Sequence, residues 1–428
     1  MALLLDDLAP CRRNDLPRGI TSVCSAHPLV LRAALRHGRD TGETVLIEAT
    51  CNQVNHQGGY TGMRPTDFRD MVTELARQEN CPEALIVLGG DHLGPNPWRH
   101  LSADLAMAEA AAMIEAYVLA GFRKIHLDAS MGCAGEPEAL DDDTCAMRAV
   151  QLAAVAERAA DQTGGPRPRY IIGTEVPPPG GADHVLDTVP PTDPEAARQT
   201  IAIHRRAFAN AGLEDAFARV LGIVVQPGVE FGNHNVIAYD PAAAKALSRI
   251  LDDEPDLVFE AHSTDYQGVR PLSDLIRDGF AILKVGPELT FILREALYAL
   301  DLIASDLLPD YGDRPLMHAM EALMCARSGN WSRHYSGASG QQRLLRHYSL
   351  SDRIRYYWAQ PEAEAAVATL FNALRGQKLP RPLLWQHMPA ASHFADTPFD
   401  PEALVIWRIR ECLRAYSAAC ASQLEAVA

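Results

Sequence analysis

Eight short runs of aliphatic and β-branched residues set the limits on this fold. They fall at residues 19–24, 44–48, 85–88, 124–128, 170–175, 220–226, 257–262 and 280–285. Each is followed by a helical segment, at 29–37, 65–78, 104–119, 142–160, 194–211, 241–250, 269–277 and 287–304. A continuously apolar strand is buried on both faces, and its alternation with helices makes a parallel sheet covered by helices. Eight such units in about 300 residues predict a (β/α)8 TIM barrel. A doubly wound open sheet has the same alternation, but the first strand–helix turn lacks the GxGxxG fingerprint of its dinucleotide-binding form.

The alternation stops near residue 309. Helical segments follow at 316–328, 341–347, 362–374 and 401–418. The expected division is a catalytic barrel over 1–308 and a helical C-terminal extension over 309–428. That extension would pack on the barrel or carry a subunit contact, and a homo-oligomer is expected. Residues 1–18 read as irregular. The aromatic cluster at 355–358 (RYYW) reads as packing.

Bulk properties remove several functions. The formal charge of −16 argues against nucleic acid as a partner, because that binding needs a basic footprint. A local basic pocket for a phosphate stays open. The nine cysteines are scattered, odd in number and without a CxxC pair, which fits free thiols in a reducing, cytoplasmic compartment. Residues 1–8 have no basic n-region, and no apolar run reaches the roughly 18 residues that span a bilayer. No membrane association is expected.

In such barrels the chemistry sits at the C-terminal ends of the strands. Those ends carry Cys24, Glu48, Asp91 with His92, Asp128, Glu175, Gln226 (with His234 in its loop), His262 and Lys284. Ionisable groups are costly to bury without partners, so their convergence points to a site. His92, His234 and His262 are the candidate ligands of a divalent metal, Zn2+ first and Mn2+ or Ni2+ as alternatives. His126 lies mid-strand and receives no role. Asp91 is the candidate general base, with Asp128 and Glu175 as further catalytic candidates. Glu48, Asn52, Gln53, Ser263 and Lys284 are the candidates for binding substrate. Lys284 is the right residue type for a Schiff base, but a metal site needs no such amine, and a hydroxyl- or phosphate-binding role is favoured.

Longer stretches carry a family resemblance. They are residues 19–28 (GITSVCSAHP), 48–55 (EATCNQVN), 59–63 (GYTGM), 89–96 (GGDHLGPN), 173–177 (GTEVP), 225–231 (VQPGVEF) and 351–358 (SDRIRYYW). Together they resemble the D-tagatose-1,6-bisphosphate aldolase GatZ/KbaZ-like family, which is related to the zinc-dependent class II aldolases. The order of Asp91, His92, His234 and His262 is similar to that of the aldolase site. Two departures stand out: Gly286-Pro287 follows the last strand where aldolases carry a polar residue, and residues 263–267 (STDYQ) replace their glycine- and serine-rich phosphate loop. Both argue against a bisphosphate substrate.

The resemblance implies one of three roles. The first is a metal-dependent 4-epimerase of tagatose- and fructose-type ketohexoses or their 6-phosphates. In it Asp91 takes the C4 hydroxyl proton, the C3–C4 bond opens, the aldehyde turns over and the bond re-forms. The second is a non-catalytic subunit supporting a class II D-tagatose-1,6-bisphosphate aldolase. The third is a bisphosphate aldolase in its own right. Some relatives are taken for tagatose 6-phosphate kinases, but this sequence has no GxxxxGK[ST] loop.

Overall fold

The computed structural model describes residues 2–173 and 188–421. Its strands are β1 (Ile20–Val23), β2 (Val45–Thr50), β3 (Ile86–Leu93), β4 (Lys124–Leu127), β5 (Arg169–Ile172), β6 (Val220–Val224), β7 (Glu230–Phe231), β8 (Val236–Ile237), β9 (Val258–Ala261) and β10 (Ile282–Val285). Eight of them close a parallel barrel in the order β1-β10-β9-β6-β5-β4-β3-β2. The short β7 and β8 form a separate antiparallel hairpin in the loop after β6, where the sequence reads only as loop. This is the expected (β/α)8 barrel.

Local sequence explains the helices around it. Five of the eight that follow barrel strands open on proline: Pro28–Thr41, Pro65–Glu79, Pro194–Asn210, Pro241–Ser248 and Pro287–Leu307. Proline fits a first helical turn because its missing N–H would have no intrahelical partner there. Asp141, Asp193 and Asp240 each accept a main-chain N–H at the start of a helix.

The barrel interior is layered. At its base Ile20, Leu46, Ile171, Val258 and Ile282 form an apolar floor. Leu3, Leu5 and Leu8 join that floor from outside the sheet. The N-terminal segment is therefore not irregular: a 3-10 turn (Leu5–Asp7) and a helix (Leu8–Arg13) bring its leucines to the barrel base. Above the floor the inward-facing positions become ionisable. Glu48, Lys124, Glu260 and Lys284 all lie buried there.

The C-terminal region contains helices Pro315–Ala326, Ser339–Tyr348, Pro361–Leu374, Arg381–His387 and Pro401–Cys420. The last returns to the barrel wall. It packs on Pro28–Thr41, Val269–Arg277 and Pro287–Leu307, and the Cys420 carbonyl accepts the Gly19 N–H at 3.0 Å. Among the described residues no helix is long and apolar enough to cross a membrane.

The buried acid of β2 needs a gap in its neighbour. Gly89 of β3 pairs with Glu48, and a Cβ on it would lie 2.8 Å from Glu48 Cγ and 3.4 Å from Lys124 Cβ. Gly89→Ala is expected to destabilise the fold by about 1–3 kcal/mol, the usual cost of overpacking. Gly329→Ala, which meets open space, should stay within about 0.5 kcal/mol of wild type. Urea melts of the two variants check this, and equal stabilities would contradict it.

Candidate active site

Period-two alternation along β4 sends Lys124 and His126 into the barrel, and along β9 it does the same for Glu260. Lys124 Nζ lies 2.6 Å from both Glu48 Oε1 and Glu260 Oε2. These are close charge pairs set off the ideal hydrogen-bond angle. Lys284 Nζ sits 2.8 Å from Glu48 Oε2, 2.7 Å from Asp91 Oδ1 and 3.5 Å from Glu260 Oε1. The chain has only four lysines, and two of them stand here. Three carboxylates against two ammonium groups leave negative charge over, which favours a further cation.

Burial alone would neutralise these groups. Their partners outweigh it. Burial pushes Lys284 down, but Asp91, Glu260 and Glu48 together hold it well above the usual lysine range. Burial likewise raises Asp91 and Glu260. His92, Lys284 and His126 bring Asp91 well below the carboxylate range, and Lys124 with Lys284 does so for Glu260. Lys284, Asp91 and Glu260 are therefore held in their charged forms.

Above it the histidines gather. In a regular strand Asp91 and His92 would face opposite sides. The register of β3 shifts between Gly90 and Leu93, and His92 takes a left-handed φ of 51°. This bulge lets Asp91 and His92 line the same cavity. The rings of His92, His126 and His262 then lie with centroids 4.8 to 5.4 Å apart.

Each imidazole is paired with a carboxylate. His92 Nδ1 is 2.9 Å from Asp128 Oδ2, His126 Nδ1 is 3.1 Å from Asp91 Oδ1, and His262 Nε2 is 3.0 Å from Glu260 Oε1. The His92 main-chain N–H also approaches His126 Nδ1, at 3.3 Å. We place the His126 proton on Nδ1, since the charged carboxylate is the stronger partner. Its Nε2 is then a bare lone pair, and it is buried with no hydrogen-bond partner. Burial first of all keeps His262 neutral, lowering it to about 3. A neutral imidazole oriented by a carboxylate, as His262 is, is the usual donor to a divalent metal. One ligand atom from each of Asp91, His126, Glu260 and His262 falls within 4.8 Å of the others. The donor set fits a metal.

One cavity opens over this group. Asn52, Gln53, Asp91, His92, His262, Ser263 and Lys284 line it, as do Arg355 and Tyr356. Of the other expected site residues, Glu48 lies beneath, bound to the two lysines. Asp128 sits behind His92 and accepts from Ser130 Oγ at 2.7 Å. Glu175 falls in 174–187, outside the described residues.

His234 is not brought to the group. It is exposed in the turn between β7 and β8. That turn is tied to the C-terminal region: Asn233 Oδ1 accepts from Ser349 Oγ at 2.7 Å and Ser351 Oγ at 3.0 Å. The third imidazole in the cluster is His126, which sequence reasoning left without a role. The available signal was polar residues two apart in strands otherwise apolar on both faces: Lys124, His126 and Asp128, or Glu260 and His262.

Asp265 also lines the cavity. Its Oδ1 accepts the N–H groups of Gly286 at 3.0 Å and Glu288 at 2.8 Å, capping the helix Pro287–Leu307. Burial, helped by Glu288, pushes its carboxyl up to about 7. An unfolded aspartate titrates near about 3.9, so the folded state holds an extra proton between the two values. This contribution is full below the unfolded value and is lost as pH rises through the window from about 4 to about 7. Asp265→Asn keeps an acceptor and removes the titration. It should flatten the decline in stability across that window by on the order of 1–3 kcal/mol; an unchanged decline in melts at several pH values would contradict this. Lys124→Met strips Glu48 and Glu260 of their shared cation. It should cost about 3–5 kcal/mol, with partial recovery when Glu48→Gln is added. A melt indistinguishable from wild type would overturn the account of the layer.

Comparisons with known proteins agree with this architecture. A D-tagatose 6-phosphate 4-epimerase of Agrobacterium fabrum (strain C58 / ATCC 33970) is 60% identical over 419 residues, covering 98% of this chain and 99% of that protein. The crystal structure of a probable tagatose 6 phosphate kinase from Sinorhizobium meliloti 1021 superposes with a TM-score of 0.86 at 52% identity, covering 94% of this chain and 100% of that one. The profile of one family matches residues 5–421. The chain belongs to the D-tagatose-1,6-bisphosphate aldolase subunit GatZ/KbaZ-like family.

Proposed function

We propose that this chain is a metal-dependent 4-epimerase that interconverts D-tagatose 6-phosphate and D-fructose 6-phosphate by opening and re-forming the C3–C4 bond. The observation that carries this reading is the trio of carboxylate-paired imidazoles at one cavity. The name of the 60% identical relative supports the substrate. The nine cysteines, none of them in a disulfide, support a cytoplasmic enzyme.

His126 Nε2 and the free nitrogen of His262 would hold the metal, with His92 or the carboxylates of Asp91 and Glu260 completing the set. Zn2+ fits the imidazole donors first, with Mn2+ and Ni2+ as alternatives. A divalent ion there would polarise a ketose carbonyl as a Lewis acid.

The chain's own groups do the rest. Asp91, held ionised, accepts the hydrogen bond of the C4 hydroxyl and takes its proton as the C3–C4 bond breaks. The carbonyl-bearing half keeps the bonding pair as an enediolate, and C4 becomes an aldehyde. After the aldehyde rotates, the pair attacks its other face and the proton returns to O4. The atoms balance with no co-reactant. Asn52, Gln53 and Ser263 offer hydrogen bonds to the remaining hydroxyls. Asp128 acts through His92 as a positioning residue. Glu175 remains the candidate for a second acid–base group. Lys284 orients Asp91; a triply paired ammonium has no lone pair for a Schiff base.

A subunit that only supported an aldolase would have no need of this site. The isolated chain decides between the two. Stripped of metal with EDTA and reloaded with Zn2+, Mn2+ or Ni2+, it should interconvert the two 6-phosphates, followed by NMR. His126→Asn should lower kcat/KM at least about 100-fold while the fold persists. No turnover with any of the three ions would sink the enzyme reading. Full activity in His126→Asn would remove His126 from the metal set.

A further inference from the structure

The segment 355–358 reads as packing in the sequence, and the structure divides it. Tyr357 and Trp358 are buried in the core, 1% and 3% exposed. Arg355 and Tyr356 are only partly buried and line the catalytic cavity. They reach it from a 3-10 turn (Arg353–Tyr357) of the C-terminal region. Tyr356 meets Tyr60, from the loop after β2, edge to face at 5.0 Å. The C-terminal region is thereby part of the site's wall.

Among the described residues lining this cavity the groups suited to an anion are few. Lys284 is taken by Glu48, Asp91 and Glu260. The N-terminal N–H groups of helix Pro287–Leu307 at Gly286 and Glu288 are taken by Asp265. Arg355 differs. Its guanidinium donates to neutral oxygens: the carbonyls of Ser351 and Asp352, and Tyr356 Oη at 2.8 Å. It also lies 4.4 Å from the centre of the Tyr356 ring. The nearby Asp352 carboxylate is engaged by Thr290 Oγ1 at 2.7 Å and by Arg294 Nε at 3.3 Å. Among the described residues no carboxylate lies within ion-pair distance of Arg355. A partly desolvated guanidinium with no carboxylate in ion-pair contact, which Asp352 reaches only at longer range, fixed from behind by carbonyls and an aromatic ring, is a prepared site for a doubly charged oxyanion.

We infer that Arg355 binds the phosphate of the substrate and makes the enzyme selective for phosphorylated over free ketohexoses. This rests on the epimerase reading. The reacting carbons then lie over the histidines while the C-terminal region holds the charged end. A protein of formal charge −16 repels an anionic substrate at long range, so a dedicated cation inside the cavity has a clear use.

The test uses the full metal-loaded chain, wild type, Arg355→Gln and Arg355→Lys. Each is assayed on D-tagatose 6-phosphate and on free D-tagatose, with inorganic phosphate as inhibitor. Thermal melts confirm that the variants are folded. Arg355→Gln should raise KM for the 6-phosphate about 10- to 100-fold, as loss of a charge-assisted contact does. It should change kcat/KM for free tagatose less than about threefold and weaken competitive inhibition by phosphate. Arg355→Lys should fall between. Equal losses on both sugars, or undiminished inhibition by phosphate in Arg355→Gln, would overturn the inference and leave the epimerase reading standing. If wild type turns over neither sugar, the epimerase reading fails. Calorimetry of inorganic phosphate then still tests Arg355, with equal affinity for wild type and Arg355→Gln counting against it.

Discussion

The pairing of Lys124 and Lys284 with Glu48, Asp91 and Glu260 is the interaction on which the rest of this structure depends. A barrel of this size is ordinarily filled by branched apolar side chains. Here only the floor is apolar. Five charged groups occupy the space above it, each with a partner of opposite sign. Burying them is tolerable only as a set, because removal of one strands the others in a low-dielectric interior. That constraint reaches into the backbone. It requires glycine at position 89, where any Cβ would press on Glu48. It also favours an N-terminal segment whose leucines reach the floor on the other side.

The same layer prepares the chemistry above it. Asp91 belongs to both levels: it takes the Lys284 ammonium from below and His126 Nδ1 from the side. Glu260 does likewise for Lys124 and His262. The charges that stabilise the barrel interior therefore also fix the tautomers of two imidazoles and leave one nitrogen of each free of them. The bulge in β3 adds the third, His92, at the cost of a left-handed backbone. Such strain persists where the surrounding structure holds it, and it concentrates at functional sites.

Much of this was legible from residue order. Apolar runs alternating with helices specify a barrel because few other layer arrangements bury strands on both faces. Strand ends then locate Asp91, His92, His262 and Lys284. His126 and Glu260 escaped because depth inside a barrel depends on register between strands, which a single strand does not reveal. His234 was placed by loop order, yet a hairpin of four paired residues carries it outward, anchored by Asn233 to serines more than a hundred positions away. Arg355 escaped for the same reason: nothing local in a helical tail tells that one turn of it faces a cavity built by the barrel.

Cleavage of the C3–C4 bond is the central chemical claim. It is tested most directly by running the reaction in D2O and reading the product by NMR. The hydrogen on C4 never leaves its carbon if the bond to C3 opens and closes, so the account predicts fructose 6-phosphate formed from tagatose 6-phosphate with no deuterium at C4. Deuterium at C4 would mean that the carbon itself is deprotonated, and would contradict it.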